Sequence, residues 1–569
     1  MFAEEVTGTK RQFETYAAIS TLPVQPTHEA DYGDRVILRV GASLGRLVLG
    51  IGGLLVWATH SSTAVAQQPG LAEFASATAP LPLPREQAAP LNVRPTRGTS
   101  RSTTSGTSKE SVRYVVDSII VTGNTLTRDT VIVRFVPFTP GDILDVDDPR
   151  LELTKFRLLG TGFFRDATLS LQKGRLPGHV SLVVNVVERN TIVVNDVWMG
   201  LAASADTSGG QSDISSFAGI DAAETNLLGT GITLGLAAAF SADQKGLALR
   251  YHDPAFLGGP WMLDGEILRN DGLGFFGNAG VRWDDPNQTD RVRRQAVVRY
   301  QRRGVTAGLG RDLGVATQAW LHLRAERLRA TLPRAASHVY GGETEPLQFH
   351  IHKGHSTLTT LRFSLFNDTR DQPILPTRGR TINASVDIGL RPALSDYSYQ
   401  KVDVSGSFHI PLAHEHVLSL FGFVGLIAGE APFIDQYYVG DLSDFRPGRI
   451  LGLSFDDRPA PNILDTAIEE TRYGDFAARV TAEYRIPLYR GSRSVYGADF
   501  FLGGGFFLLA DQRQFERPPR NRSGLSLVPI DLTASLGIKL DTSLGGFSLS
   551  ISNLAGFAHP GRAPEVPGE

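Results

Sequence analysis

The histidines are the first candidates for chemistry. His350, His352 and His355 have the close spacing of a small metal site, and His414 and His416 form a second pair. Imidazole nitrogens so spaced bind zinc or copper when the chain turns them inward. The same spacing fits a surface loop, and the second pair reads as a short turn. Gly272-x-Gly274-x-x-Gly277 has the spacing of a dinucleotide-binding loop. No strand–helix–strand unit surrounds it, so a loop or a barrel strand is the better reading. No enzyme domain is attached, and a serine hydrolase on a barrel wall is the remaining catalytic alternative. The expectation is a non-enzyme without metal or cofactor.

Charged residues are more informative when their spacing is read together with their neighbours. In Thr381-Ile382-Asn383-Ala384-Ser385-Val386-Asp387-Ile388 the even positions are apolar and the odd ones polar. The same period of two runs through Lys401 to Ile410, Arg479 to Ile486 and Phe547 to Ser552. A soluble sandwich would turn the apolar face inward. A membrane barrel reverses the faces, so that Asp403, Arg479 and Glu483 line a wet lumen and Val, Leu and Phe meet lipid. Whole charges of both signs, abundant glycine (60 of 569 residues) and aromatic pairs favour the barrel. The pairs Tyr437-Tyr438, Phe500-Phe501 and Phe506-Phe507 would form interfacial girdles. Strands of the usual length across residues 191–557 make about sixteen.

The preceding chain divides by composition. The longest apolar run, Leu47 to Ala58, follows Arg39 and Arg46 and precedes Ala64-Val65-Ala66. That order reads as a secretory signal cut between Ala66 and Gln67. No apolar run is long enough for a spanning helix. Residues 67–111, rich in Pro, Ser, Thr and Ala, read as a disordered linker, and 558–569 as a Pro-rich tail. The sequence contains no cysteine, which excludes disulfides, thiolate metal sites and a lipid-anchoring cysteine within it. A net charge of -3 argues against a nucleic-acid partner.

Residues 112–190 read as a small domain in the order β-α-α-β-β. Tyr114 to Val121 forms a strand, and Gly123-Asn124 turns it. Thr127 caps a short helix through Phe135, and a second helix runs from Asp148 to Leu159 and stops at Gly160. Phe164–Gln172 and His179–Glu188 then form a hairpin around Lys173-Gly174-Arg175. Val121-x-Gly123-Asn124, Gly141-Asp142, Leu159-Gly160-x-Gly162-Phe163-Phe164 and Val184-x-Val186-x-Glu188 together resemble a POTRA domain. The resemblance implies an edge strand that accepts an extended client by β-augmentation, here Ala167, Thr168, Leu169, Ser170, Leu171 and Gln172.

The rest of the chain resembles the BamA/TamA-type outer-membrane assembly superfamily of bacterial surface antigens. Four landmarks carry this in order: Tyr251-x-Asp253-Pro254-x-Phe256, Asp368-x-Arg370-Asp371 with Leu375-Pro376-Thr377-x-Gly379, Tyr437 to Gly448, and Ala482 to Leu488. The third matches a loop that folds into the lumen, where its arginine pairs with a wall carboxylate. The resemblance assigns those roles to Arg446 and Glu483. Pro447 and Gly448 depart from the family's pattern, and Phe501-Leu502-Gly503-Gly504-Gly505 lacks its second carboxylate. At the end, either Phe547 to Phe557 is the closing strand or that strand is missing.

The expected architecture is therefore mainly β, a transmembrane antiparallel barrel behind one POTRA domain in the periplasm. Its implied function is to receive unfolded outer-membrane or secreted polypeptides and insert or export them. Outer-membrane lipid and accessory lipoproteins are the further implied partners. A dedicated exporter of one protein and a passive channel are the rivals.

Overall fold

The computed structural model describes residues 113–551, apart from 206–211, 278–280, 284–291, 294, 334, 341–342, 392–393, 447, 459–461 and 492–493. The expected cleavage site at Ala66–Gln67, the linker 67–111, Pro447, Phe557 and the tail 558–569 lie outside the described residues.

The small domain has one strand more than expected. Its elements are β1 (Arg113–Thr122), α1 (Asp129–Arg134), β2 (Ile143–Asp145), α2 (Pro149–Gly160), β3 (Phe164–Lys173) and β4 (His179–Glu188), in sheet order β2-β1-β4-β3. At three residues, β2 is too short to show a period. Both helices pack on one face, over a core that includes Val116, Ile132, Phe138, Leu158, Phe164, Leu182 and Val184. Asp148 caps α2 by accepting the Arg150 N–H, with proline in the first turn. Thr127 does not cap α1. Arg128 occupies the cap position without a side-chain bond, and Thr127 is engaged elsewhere.

Fifteen strands follow in one antiparallel sheet, one fewer than the expected sixteen among the described residues. They are β5 (Ile192–Ala205), β6 (Ser212–Glu224), β7 (Thr233–Ser241), β8 (Lys245–Asp253), β9 (Trp261–Phe276), β10 (Ala296–Gly314), β11 (Thr317–Thr331), β12 (Gly354–Asp368), β13 (Gly379–Gly389), β14 (Ser398–Pro411), β15 (Val417–Glu430), β16 (Phe476–Arg490), β17 (Val495–Ala510), β18 (Ile530–Thr542) and β19 (Gly545–Ile551). Each pairs with its sequence neighbours. Gly272 and Gly274 lie on β9, as a barrel reading of that glycine motif requires.

The faces are reversed as a membrane barrel requires. On β16, Val480 is 62 % exposed on the outside, whereas Glu483 is 7 % exposed within. Ile382, Val386 and Ile388 likewise point out while Thr381, Ser385 and Asp387 are buried. The aromatic girdles are not where the pairs suggested. Tyr437 and Tyr438 are buried in the lumen, and Phe501 and Phe507 are buried while Phe506 is exposed. Adjacent strand residues point to opposite faces, so a strand pair cannot put both rings in one girdle. Two of the histidines have local structural contacts. His414 lies in the β14–β15 turn, the His352 ring packs 4.8 Å from that of Tyr397, and no metal-ligand group forms among the described residues.

The sheet's two ends, β5 and β19, meet near their starts. The Val194 N–H donates to the Leu544 carbonyl at 2.7 Å. A side chain on Gly545 would overlap the Val194 carbonyl, and this glycine has φ +135. An odd count makes β5 and β19 run in the same direction, so the antiparallel ladder cannot continue across this seam. No strand pairing joins them among the described residues.

Candidate functional site: edge strand, lumen loop and seam

In the small domain, β3 pairs only with β4, so Ala167–Gln172 does lie on an outer edge. Ala167, Leu169 and Leu171 face the core, and Thr168, Ser170 and Gln172 are exposed. The outer backbone groups of β3 have no strand partner in this sheet, which is the geometry that strand addition uses.

Glu188 at the end of β4 joins the domain's first turn to its last strand. Its carboxylate accepts the N–H groups of Thr125 (2.9 Å), Leu126 (3.0 Å) and Thr127 (2.6 Å), and the Thr125 hydroxyl. Partial burial would raise this carboxyl, but the bonds from Thr125 and Thr127 outweigh it and hold it at about 2. Gly123, at φ +84, has no room for a side chain against the Val186 carbonyl. The turn so fixed reaches the barrel. Asn226 donates to the Thr127 hydroxyl at 2.8 Å, and the Arg128 N–H to the Gly229 carbonyl at 3.0 Å. Arg157 of α2 pairs with Asp312 at 2.5 Å. The domain therefore sits against the barrel's strand-start turns.

Between β15 and β16, the described residues of 431–475 fold into the lumen. Leu453 is fully buried, and it packs where Gly246 and Gly272 carry no side chain. A Cβ at Gly272 would stand 2.6 Å from Leu453 Cδ2, and one at Gly274 would stand 2.7 Å from Phe433 Cζ. Wall side chains hold the loop's backbone. Asn270 donates to the Leu451 carbonyl (2.5 Å), Tyr300 to that of Gly452 (3.1 Å) and Gln244 to that of Ser454 (2.7 Å). Phe433 and Tyr473 pack on Phe276 with centroids 5.2 and 5.1 Å away. Gly272 and Gly274 of the apparent dinucleotide motif are thus the floor of a loop cradle.

The loop's ion pairs have the opposite polarity to the expected one. Arg446 and Glu483 are both buried, but they do not pair. Arg446 lies 3.9 Å from Asp456, a loop residue that also binds Arg458 at 2.6 Å. Glu483 is taken by Lys539 at 2.6 Å. The reason is local: Glu483 faces Gly503, which carries no side chain, and Lys539, opposite Asp499, slants to Glu483 with its ammonium 4.8 Å from the centroid of the inward Phe501 ring. Loop carboxylates meet wall cations instead. Asp435 binds Arg324 (Nη1–Oδ1 3.0 Å) and Tyr399, and Lys401 donates to its carbonyl at 3.0 Å. Asp444 binds Arg479 at 2.9 Å and Thr533 at 2.6 Å. Sequence reasoning placed Arg479 in the lumen and missed Asp435, Asp444 and Arg324. The alternation around Trp320 to Arg324 carried the signal for Arg324, whereas nothing periodic marks the two aspartates.

The model of the Omp85 superfamily domain matches residues 226–555, and that of the POTRA surface-antigen variable-number repeat matches 114–189. Similar solved structures include BamA from Haemophilus ducreyi lacking POTRA domains 1–3, at 19% identity. That alignment covers 77% of this chain and 81% of that one, with a TM-score of 0.41. CdiB from Escherichia coli is 12% identical over 77% of this chain and 73% of its own, with a TM-score of 0.46. CdiB from Acinetobacter baumannii is 12% identical over 77% and 71%, with a TM-score of 0.43. A family match over more than half the chain, on a barrel of this construction behind a POTRA-like domain, makes this protein a member of the Omp85 superfamily.

Proposed function

We propose that this protein inserts polypeptides into, or exports them across, an outer membrane, with its POTRA domain in the periplasm. An unfolded client adds to β3 at the Ala167–Gln172 edge and passes to the barrel. The observation that carries this reading is the seam: two strand edges of one wall joined, among the described residues, by the Val194–Leu544 bond. In hydrocarbon each unpaired backbone group costs several kcal/mol, so such an edge favours an incoming strand. Client folding then supplies the driving force without a nucleotide, cofactor or catalytic group.

Insertion needs only the seam, whereas export also needs residues 431–475 to leave the lumen. Many polar and apolar contacts hold that loop, which favours insertion. They also weigh against a passive channel, whose steady conductance requires an open lumen. Lipid is the surrounding partner, and accessory lipoproteins are further partners in this reading.

A photo-crosslinker at Ser170 tests it in living cells. Ser170 is exposed on the edge, whereas Leu169 packs against the domain core. Capture of many barrel precursors supports insertion, and capture of one secreted protein supports dedicated export. No capture by an abundant, folded protein would overturn both in favour of the channel.

A further inference from the structure

The connection between β12 and β13, residues 369–378, is far longer than the two residues that close a tight hairpin. Its base is braced by Asp371, whose carboxylate accepts the N–H groups of Thr377 (2.9 Å) and Arg378 (3.2 Å) and the Thr377 hydroxyl. Its tip leaves its own strands. In the sheet, β14, β15 and β16 separate β13 from β17, yet the tip touches β16, β17 and β19. The Pro376 carbonyl accepts from Arg485, which is 2 % exposed. Leu375 lies over Gly497 and Ile374 over Gly546, where a Cβ would stand 2.9 Å from Leu375 Cδ1 and 2.8 Å from Ile374 Cγ2. The tip seats because those two wall positions carry no side chain. Gly546 belongs to β19, one of the two seam strands.

The base of the same connection meets the POTRA domain. Arg378 pairs with Glu152 of α2 at 2.5 Å, and its guanidinium lies 5.4 Å from the Phe156 ring centroid. Asp368, Arg370 and Pro373 line a cavity between domain and barrel together with Phe156 and Arg157. One braced segment of ten residues therefore touches α2 at one end and the seam strand at the other.

We propose that residues 369–378 are a strap that couples the docking of α2 to closure of the seam. In the seated state the tip rests on Gly497 and Gly546 and supports β19 from inside, while the base holds α2. In the lifted state the tip is free, α2 is released, and β19 can part from β5. The half-exposed Glu152–Arg378 pair contributes little alone. The buried Leu375 side chain and the Arg485 bond to Pro376 hold the seat. Such coupling is reciprocal: whatever opens the seam loosens the domain, and whatever lifts the domain loosens the seam. It holds whether the client is inserted or exported.

The chain contains no cysteine, so one engineered pair reports cleanly. In the full-length protein, Ile374→Cys with Gly546→Cys should oxidise after folding and lock the strap in its seat. Hydrogen exchange of the α2 amides should then slow by about fivefold or more relative to the same protein reduced, about fivefold being the low end of coupling between linked sites. Equal exchange in the two states would overturn the coupling, and failure of the pair to oxidise would remove the seat itself. Leu375→Gly should do the reverse, speeding exchange both at α2 and at the Val194 amide. Faster exchange at Val194 with α2 unchanged would leave a seam prop and overturn the strap.

Discussion

Two charged groups define the residue scale, Asp435 in the lumen and Glu188 at the domain junction. Removing one partner of a buried ion pair strands the other, typically at about 3–5 kcal/mol. Asp435→Ala, which takes from Arg324 its two direct carboxylate bonds and leaves only the Glu326 carboxylate at 3.7 Å, is therefore expected to lower the temperature at which the compact barrel unfolds on an unboiled gel. Arg446→Ala should leave that temperature nearly unchanged, because Asp456 keeps Arg458. A larger drop for Arg446→Ala would contradict the reversed polarity. Glu188 predicts a pH response of definite sign. Its carboxyl is held at about 2 in the fold, below the ordinary glutamate value of 4.5. A depressed carboxyl stabilises above the unfolded value and loses that contribution as pH falls through the folded one. Protease resistance of residues 123–128 should thus hold above about pH 4.5 and fall towards pH 2, and Glu188→Gln should flatten the response. An unchanged profile in Glu188→Gln would show that another group governs the junction. At this scale the sequence marks Arg446 and Glu483 only through a motif. It could not reveal that Lys539 reaches Glu483 over the Phe501 ring, because that depends on register across three strands.

Elements were legible where they repeat. The alternation at Thr381–Ile388 and Arg479–Ile486 sets both the strands and their faces, since a period of two places every second residue on one side. The hairpin of β3 and β4 and the second helix of the POTRA domain were equally plain. The inner loop was not, because residues 431–475 follow no period and bind wall residues far away in the chain. Asp435, for example, lies 111 positions from Arg324. The glycines on β8 and β9 are the wall's half of that interaction, and they support a direct prediction. Gly272→Val places atoms where Leu453 Cδ2 and the Tyr300 ring now stand. It should push the loop outward and raise single-channel conductance in planar bilayers. Conductance equal to that of the unaltered protein would mean that the cradle does not hold the loop.

At the scale of the whole molecule, a loop folded into the lumen, a POTRA domain braced against the barrel's turns and a seam without strand pairing among the described residues are the features on which the proposed action through the wall rests. The family membership was legible because its landmarks keep their order over most of the chain. The seam was legible only as an open alternative, Phe547 to Phe557 as the closing strand or that strand missing, since a strand count depends on where each strand begins and on which edges meet. The most direct test of the central claim is to lock that seam. A cysteine pair at Val194 and Leu544, whose backbones share a hydrogen bond, can be oxidised in cells that also carry the crosslinker at Ser170. Polypeptides captured at Ser170 should accumulate unassembled while the seam is locked and mature once it is reduced. Maturation at an undiminished rate through a locked seam would contradict it.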